Sequence, residues 1–303
     1  MTLGSWKIMR YVLFCHGFTV AFEDARLAQS ASSLFAAKCI CSNYRGNVAL
    51  RVNGRLDSFE ICFGNNCQGA IRNVAAANVI GLIDDSLNYR LRSAVPSECC
   101  SVHASALNLG GSAVVLVGES GFGKTTLCLA AADCGVKMLG DEFGLIDFNT
   151  RSYVQANYPF CLKAGSRAVL KTLGNALPSG ALMVSPLGVR SEVLPVSSVD
   201  QTLRSLGRPG LETAMQAQCG ELTAPLPLKA IVSIRRGARS NSMETLNVGM
   251  WLAEVMPSLD GPCTRAYLFN QLVKLASNGV MLKRMSFVNL YDGARLLIEE
   301  FGC

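Results

Sequence analysis

The feature that most constrains this chain is the eight-residue run Gly118-Glu119-Ser120-Gly121-Phe122-Gly123-Lys124-Thr125, which satisfies G-x-x-x-x-G-K-[ST] at every defined position. With 28 glycines in 303 residues, chance produces the pattern in roughly one such chain in a hundred. Its flanks agree with it. Residues 113–117 (AVVLV) form a short continuous apolar run of the kind buried in a parallel sheet. Residues 124–133 then place Leu127, Ala130 and Ala131 on one helical face and stop before Gly135, a suitable C-cap. Strand, glycine turn and helix in this order suit a phosphate, because glycines let backbone N–H groups face the anion and the helix N-terminus adds a favourable dipole. The run from Gly118 through Thr126 is therefore expected to hold nucleotide phosphates, with Lys124 on the β- and γ-phosphates and the Thr125 hydroxyl on magnesium. A purely structural glycine turn is the alternative.

Three further residues bear on the chemistry. Residues 136–139 read as the next strand and end in Gly140-Asp141-Glu142, so the acidic pair begins 17 residues beyond Lys124. In a parallel sheet that strand end lies beside the phosphate loop, where one carboxylate can hold magnesium and the other can meet a substrate hydroxyl. A solvated acidic turn would look the same in sequence. His103 stands about 15 residues upstream of the loop, on what reads as the incoming strand of a hairpin; it either orients the base or fills a structural role.

Composition bounds the rest. Half of the chain is apolar and only 17% is charged, against roughly 25% on average, which excludes long disordered stretches and leaves ample core for one large domain or two smaller ones. The net charge is +6, and residues 151–303 carry all of it, with 16 basic and 10 acidic residues against 12 and 12 in the first 150. That surplus suits a phosphorylated or acidic partner and is too mild to argue for nucleic acid. The 13 cysteines form no C-x-x-C pair and have only His16 and His103 to supplement them, so reduced cysteines in a cytoplasmic protein are expected rather than disulfides or zinc. The apolar residues 11–22 are too short to span a bilayer and read as an N-terminal strand, and no membrane association is expected.

Elsewhere, residues 46–64 read as a hairpin turning at Asn53-Gly54, with Val48, Leu50 and Val52 facing Phe59, Ile61 and Phe63. Residues 72–92 read as an amphipathic helix through Val79, Leu82, Ile83 and Leu87. Pro96 breaks that pattern and suggests a boundary near residue 97. A second hairpin is expected around Asn149-Thr150, a strand at 228–234, and helices at 264–276 and 290–301. The Gly-, Pro- and Ser-rich stretch 166–221 yields no assigned element.

The order His103-Ala-Ser-Ala-Leu, VVLVGESGFGKTTL and Cys134-Gly-Val-Lys-Met-Leu-Gly-Asp141-Glu142 resembles the catalytic domain of the HPr serine kinase/phosphorylase. It is more similar still to HPr-kinase-related proteins found with ribosomally made peptides, including lasso-peptide kinases. Tyr158 to Lys163 and residues 228–236 add to the likeness, which spans roughly residues 98–240. From its position and its hairpin-plus-helix pattern alone, a smaller α+β region over 1–97 is expected to dock the peptide or cover the site. The resemblance implies an α/β P-loop kinase domain over 98–303. It implies Asp141 as the base that takes the serine proton, Glu142 with Thr125 as magnesium ligands, His103 as a functional histidine, and Arg236 or Arg235 near the transferring phosphate. A salt-bridged surface arginine stays open, as does an exposed role for Lys163. Glu142 departs from the family's aspartate by one methylene, which alters metal geometry. No match to the phosphorylase segment is recognisable.

The expected activity is ATP- and Mg2+-dependent phosphorylation of a serine on a peptide or small protein, with a lasso-type precursor as one candidate. A kinase of a small hydroxyl metabolite and a non-transferring nucleotide-dependent binding module are the other readings. A homo-oligomer is left open.

Overall fold

The computed structural model describes residues 7–13, 16–25, 27–28, 48–55, 58–63, 71–74, 79, 82–83, 95–155, 161–163, 182–184, 190–193, 224–235, 239–261 and 263–302. These form a mixed α/β structure with three sheets. The first is a five-stranded sheet, β1 (Lys7–Leu13), β2 (His16–Phe22), β3 (Val48–Arg55), β4 (Ser58–Phe63) and β5 (Ile71–Val74), in sequential order. Where one strand was expected over 11–22 there are two, because Leu13 pairs with His16 and the chain reverses between them. The expected β3–β4 hairpin is present, but its ladder runs on through the expected turn: Asn53 pairs with Glu60, Gly54 with Phe59 and Arg55 with Ser58. Asn53 and Gly54 are occupied within the ladder. The Asn53 amide donates to Glu60 Oε2 at 3.1 Å, and the Gly54 N–H donates to Glu23 Oε2 at 2.8 Å. Residues 72–74, the start of the expected helix, belong instead to β5, which pairs with β4 through Ile71–Ile61 and Val74–Phe59. Val79, Leu82 and Ile83 are helical, whereas 84–92 lie outside the described residues.

The remaining strands build one ten-stranded sheet and one small one. In chain order they are β6 (Cys99–Val102), β7 (Ser105–Leu109), β8 (Ser112–Val117), β9 (Lys137–Gly140), β10 (Gly144–Asp147), β11 (Ser152–Gln155), β12 (Cys161–Lys163), β13 (Leu182–Val184), β14 (Arg190–Val193), β15 (Leu226–Arg235), β16 (Ser242–Thr245), β17 (Leu259–Asp260) and β18 (Met281–Ser286). Strands β12, β14 and β13 form the small sheet. The helices are α1 (Lys124–Asp133), α2 (Val248–Val255), α3 (Arg265–Ser277) and α4 (Leu290–Phe301).

One topological fact positions the site. Strand β8 runs parallel to β15 on one side and antiparallel to β7 on the other, and β9 is antiparallel to β7. Two reversals restore the direction, so β8 and β9 point the same way with β7 between them. Their C-terminal ends, which lead into the glycine loop and into Asp141-Glu142, lie on one edge of the sheet. The expected strands at 113–117 and 136–139 are thus present, but they are not neighbours.

Period-two alternation along β8 loads both faces. Val114 and Leu116 join the core under α1 and α4, and Ala113, Val115 and Val117 join the core under α2 and α3. Helix α1 is buried almost all round, with Leu127 to Ala132 in the core. Small residues permit this close approach. A Cβ on Gly293 of α4 would lie 2.9 Å from Leu127 Cδ1 and 3.0 Å from Phe287 Cγ.

On the other face Trp251 of α2 is fully buried, and its indole N–H donates to the Ile231 carbonyl at 3.3 Å. Trp251→Ala removes that packing and leaves a cavity; the expected cost is about 3–5 kcal/mol. Urea unfolding of the full chain checks this, and a loss below about 1 kcal/mol would show that the site collapses around the truncation.

Candidate active site

The glycine loop leaves β8 in the conformation its residues allow. Gly118, Gly121 and Gly123 have φ of 146°, 89° and 96°, which side-chain-bearing residues rarely adopt. Gly118 is further constrained by a close approach, since a Cβ there would lie 2.9 Å from the Ile234 carbonyl oxygen of β15. Gly123 is the N-cap of α1 and no side chain caps this helix, whereas Asn247, Thr264 and Asn289 cap α2, α3 and α4. An uncapped N-terminus keeps its donors for an anion. Lys124 is buried and reaches back over the loop, its ammonium donating to the Gly118 carbonyl at 2.7 Å and the Glu119 carbonyl at 3.3 Å.

The acidic pair divides. Asp141 is only 1% exposed, and the Thr125 hydroxyl lies 3.0 Å from both of its carboxylate oxygens. Ser105 of β7 donates to Asp141 Oδ1 as well. Glu142 turns the other way. Its φ is 63°, a left-handed backbone that costs on the order of 1–3 kcal/mol for a non-glycine residue, and the Phe143 N–H donates to the Asp141 carbonyl at 2.7 Å across it. This tight turn carries Glu142 Oε2 to 3.4 Å from His103 Nδ1, with the two side chains 27% and 39% exposed. His103 sits between β6 and β7 rather than within a strand, and its backbone N–H donates to the Ser258 carbonyl at 2.7 Å.

Thr125 therefore meets Asp141, not Glu142, and His103 meets Glu142, not Asp141. The residue types expected to act are together, in the reverse pairing. Arg235, at the end of β15, is ion-paired with Glu254 of α2 at 2.7 Å, the salt-bridged arrangement left open above. Glu254 is shared with Arg284 of β18. Burial pushes the Glu254 carboxyl up, but hydrogen bonds from Arg284 and Ser233 outweigh this and hold it below the ordinary range. Arg236 and residues 156–160 lie outside the described residues, and Lys163 is placed only by its backbone in β12.

Two buried neighbours, Ser105 and Tyr153, are not among the candidate site residues of the sequence. Tyr153 of β11 lies over Gly144, where a Cβ would stand 2.2 Å from the phenol oxygen. Only the burial of the surrounding strands could have pointed to it. Its hydroxyl has no hydrogen-bond partner among the described residues, and burial, with the charges of Cys128 and Asp141, pushes its titration up.

The oxygens of Thr125 and Asp141 suit a small hard cation, which takes one or two carboxylates plus substrate phosphates. No cluster of three or more His, Cys, Asp or Glu residues that could hold a metal ion occurs among the described residues. The fold and site define a mixed α/β protein whose glycine loop leads into an uncapped helix N-terminus that meets Asp141. No family model matches the chain, and no curated protein matches it. Among solved structures it is similar to the HPr(Ser) kinase/phosphatase from Coxiella burnetii at 12% identity and a TM-score of 0.28, over 66% of this chain and 86% of that one.

Two outcomes follow from the buried polar groups. Tyr153→Phe deletes an unpartnered hydroxyl and keeps the ring, so thermal unfolding is expected to show unchanged or raised stability, by up to about 1 kcal/mol; a clear loss would reveal a partner. Burial, then the Glu142 charge, push the Asp141 carboxyl up to about 6 from 3.8, against the opposing bonds from Ser105 and Thr125 and the Lys124 charge. The folded chain then keeps a proton that the unfolded chain loses across roughly pH 4–6, so this group's contribution to stability declines as pH rises through that window. Relative to Asp141→Asn, the unfolding free energy of the nucleotide-free wild type should fall between pH 4 and 7 by about 1–3 kcal/mol. A rise would overturn the assignment.

Proposed function

We propose that the chain is an ATP-dependent phosphotransferase that moves the γ-phosphoryl group onto a serine hydroxyl of a peptide or small protein. The observation that carries this reading is the contact of Thr125 with Asp141 at the mouth of the glycine loop, with Glu142 and His103 at the adjoining rim. Loop amides from Gly118 to Thr126 and the Lys124 ammonium would hold the β- and γ-phosphates once Lys124 exchanges its carbonyl partners for phosphate oxygens. Thr125 and Asp141 would hold magnesium, which neutralises phosphate charge. Phosphoryl transfer needs little more than this positioning and electrostatic support.

A peptide acceptor is favoured by the resemblance of residues 98–240 to the kinase-related proteins of ribosomal-peptide clusters, a lasso-type precursor being the candidate substrate. On this reading residues 1–97 form the region that docks the peptide. Cys62, Cys99, Cys100, Cys128, Cys134 and Cys263 are thiols rather than disulfide partners, which supports work in a reducing, cytoplasmic compartment. No helix among the described residues is long and apolar enough to cross a membrane.

The test incubates the full chain with Mg·ATP and a panel of serine-containing peptides, free serine and sugars, and follows mass and ADP release. A gain of one phosphate on a peptide is expected, with Lys124→Ala weakening Mg·ATP binding by about tenfold or more. Phosphate on a free amino acid or sugar instead would make the protein a metabolite kinase. Binding without transfer to any acceptor would leave the non-transferring module.

A further inference from the structure

We infer that Ser105 is a positioning residue of the cation site: it pins the Asp141 carboxylate so that this group, with Thr125, holds magnesium on the bound nucleotide. The inference rests on the phosphotransfer reading. Ser105 is fully buried and is the first residue of β7. Because β7 is antiparallel to both of its neighbours, it begins on the sheet edge where β8 and β9 end. Ser105 pairs with Leu116 of β8, and the next residue, Ala106, pairs with Gly140 of β9. It therefore stands between the strand that feeds the glycine loop and the strand that leads into Asp141. Its hydroxyl donates to Asp141 Oδ1.

Other hydroxyls of this region serve the backbone. Ser101 donates to the Asp260 carbonyl at 2.8 Å, and Thr126 donates to the Gly123 carbonyl at 3.0 Å. Ser105 and Thr125 instead turn to one buried carboxylate from two different elements. The Thr125 hydroxyl lies 3.0 Å from both carboxylate oxygens, so by itself it does not distinguish them. Ser105 does, by taking Oδ1. Oδ1 then carries two donors and Oδ2 one, so Oδ2 keeps the larger share of its lone pairs for a cation. Cys128, three residues on from Thr125 and on the same face of α1, sets a fully buried thiol against Ser105, and burial keeps that thiol protonated by pushing its titration well up. Side chains of α1, β7 and the end of β9 thus meet in one polar patch.

The physical role follows from what a ligating carboxylate needs. Donors behind it fix its orientation before the cation arrives, and a hydrogen bond to an ionised acceptor is stronger than one between neutral groups. When the Thr125 oxygen turns to a cation, the Ser105 bond holds the carboxylate independently of that turn. The phosphates, by contrast, are held by the loop amides and Lys124, which Ser105 does not touch. Its loss is therefore expected to weaken the metal's share of nucleotide binding and to spare the share that needs no metal.

The experiment compares Ser105→Ala, Ser105→Cys, Asp141→Asn and the double variant Ser105→Ala/Asp141→Asn with wild type, all in the full chain. ATP affinity is measured by calorimetry in EDTA and again with excess Mg2+, and γ-phosphate turnover is followed with the serine-peptide panel and with water as acceptors. Ser105→Ala should bind metal-free ATP within about twofold of wild type and Mg·ATP about 10- to 100-fold more weakly. Its metal-free binding also reports that the variant is folded. Ser105→Cys, close in shape and a weaker donor, should fall between wild type and Ser105→Ala. In the Asp141→Asn background, Ser105→Ala should change the ratio of Mg·ATP to ATP affinity by less than about twofold, because a residue that acts through Asp141 has nothing left to position. With wild-type turnover present, three results overturn this inference alone: unchanged Mg·ATP affinity in Ser105→Ala, an equal loss with and without metal in both Ser105 variants, or a loss that adds in full to that of Asp141→Asn. No γ-phosphate turnover by the wild type with any acceptor overturns the function reading and this inference together.

Discussion

The contact between the Thr125 hydroxyl and the Asp141 carboxylate is the interaction around which the rest of this structure is arranged. It joins the loop after β8 to the end of β9, two segments separated by a whole strand, β7. The join requires β8 and β9 to point the same way, which the antiparallel β7 between them provides by two reversals. It also requires the loop to pass close against β15, which only a glycine at 118 permits. Helix α1 then starts buried, with Lys124 and Thr126 of its first turn both out of solvent. Its small apolar residues and Gly293 of α4 make that depth of burial possible, so core packing sets the position of the first helical turn to within the reach of a hydrogen bond.

Burying Asp141 has an electrostatic consequence. Removal from water pushes its carboxyl up, and the nearby Glu142 charge adds to this, while Thr125, Ser105 and Lys124 only partly offset it. The chain thus holds a carboxyl whose ionised form is favoured further when a cation arrives. The unpartnered Tyr153 hydroxyl beside it and the left-handed backbone at Glu142 lie in the same few ångströms of chain.

The basic surplus of the second half takes on a more limited meaning. Arg235 and Arg284 are committed to Glu254, Lys283 to Glu300 at 2.7 Å, and the Lys229 ammonium donates to the Phe301 carbonyl at 2.9 Å. Those cations stitch α2 and α4 to β15 and β18. These are four of the sixteen cations in residues 151–303.

What the sequence determined by itself is local: the apolar strand at 113–117, the glycines that need positive φ, the helix that follows, and the C-terminal helices with Leu268, Leu272 and Leu297 in phase. Each rests on chemistry within a few residues. Tertiary structure decided the rest. The Asn53-Gly54 turn moved because long-range partners, Glu23 and Glu60, engage those two residues within the ladder. Helix α2 was not foreseen because eight residues give too little period to read, and β18 because its Lys283 and Arg284 find partners that only the folded chain supplies. Above all, no local pattern says which of two adjacent acids meets Thr125. That depends on β7 lying between β8 and β9 and on the backbone sign at Glu142, both set by contacts between residues far apart in the chain.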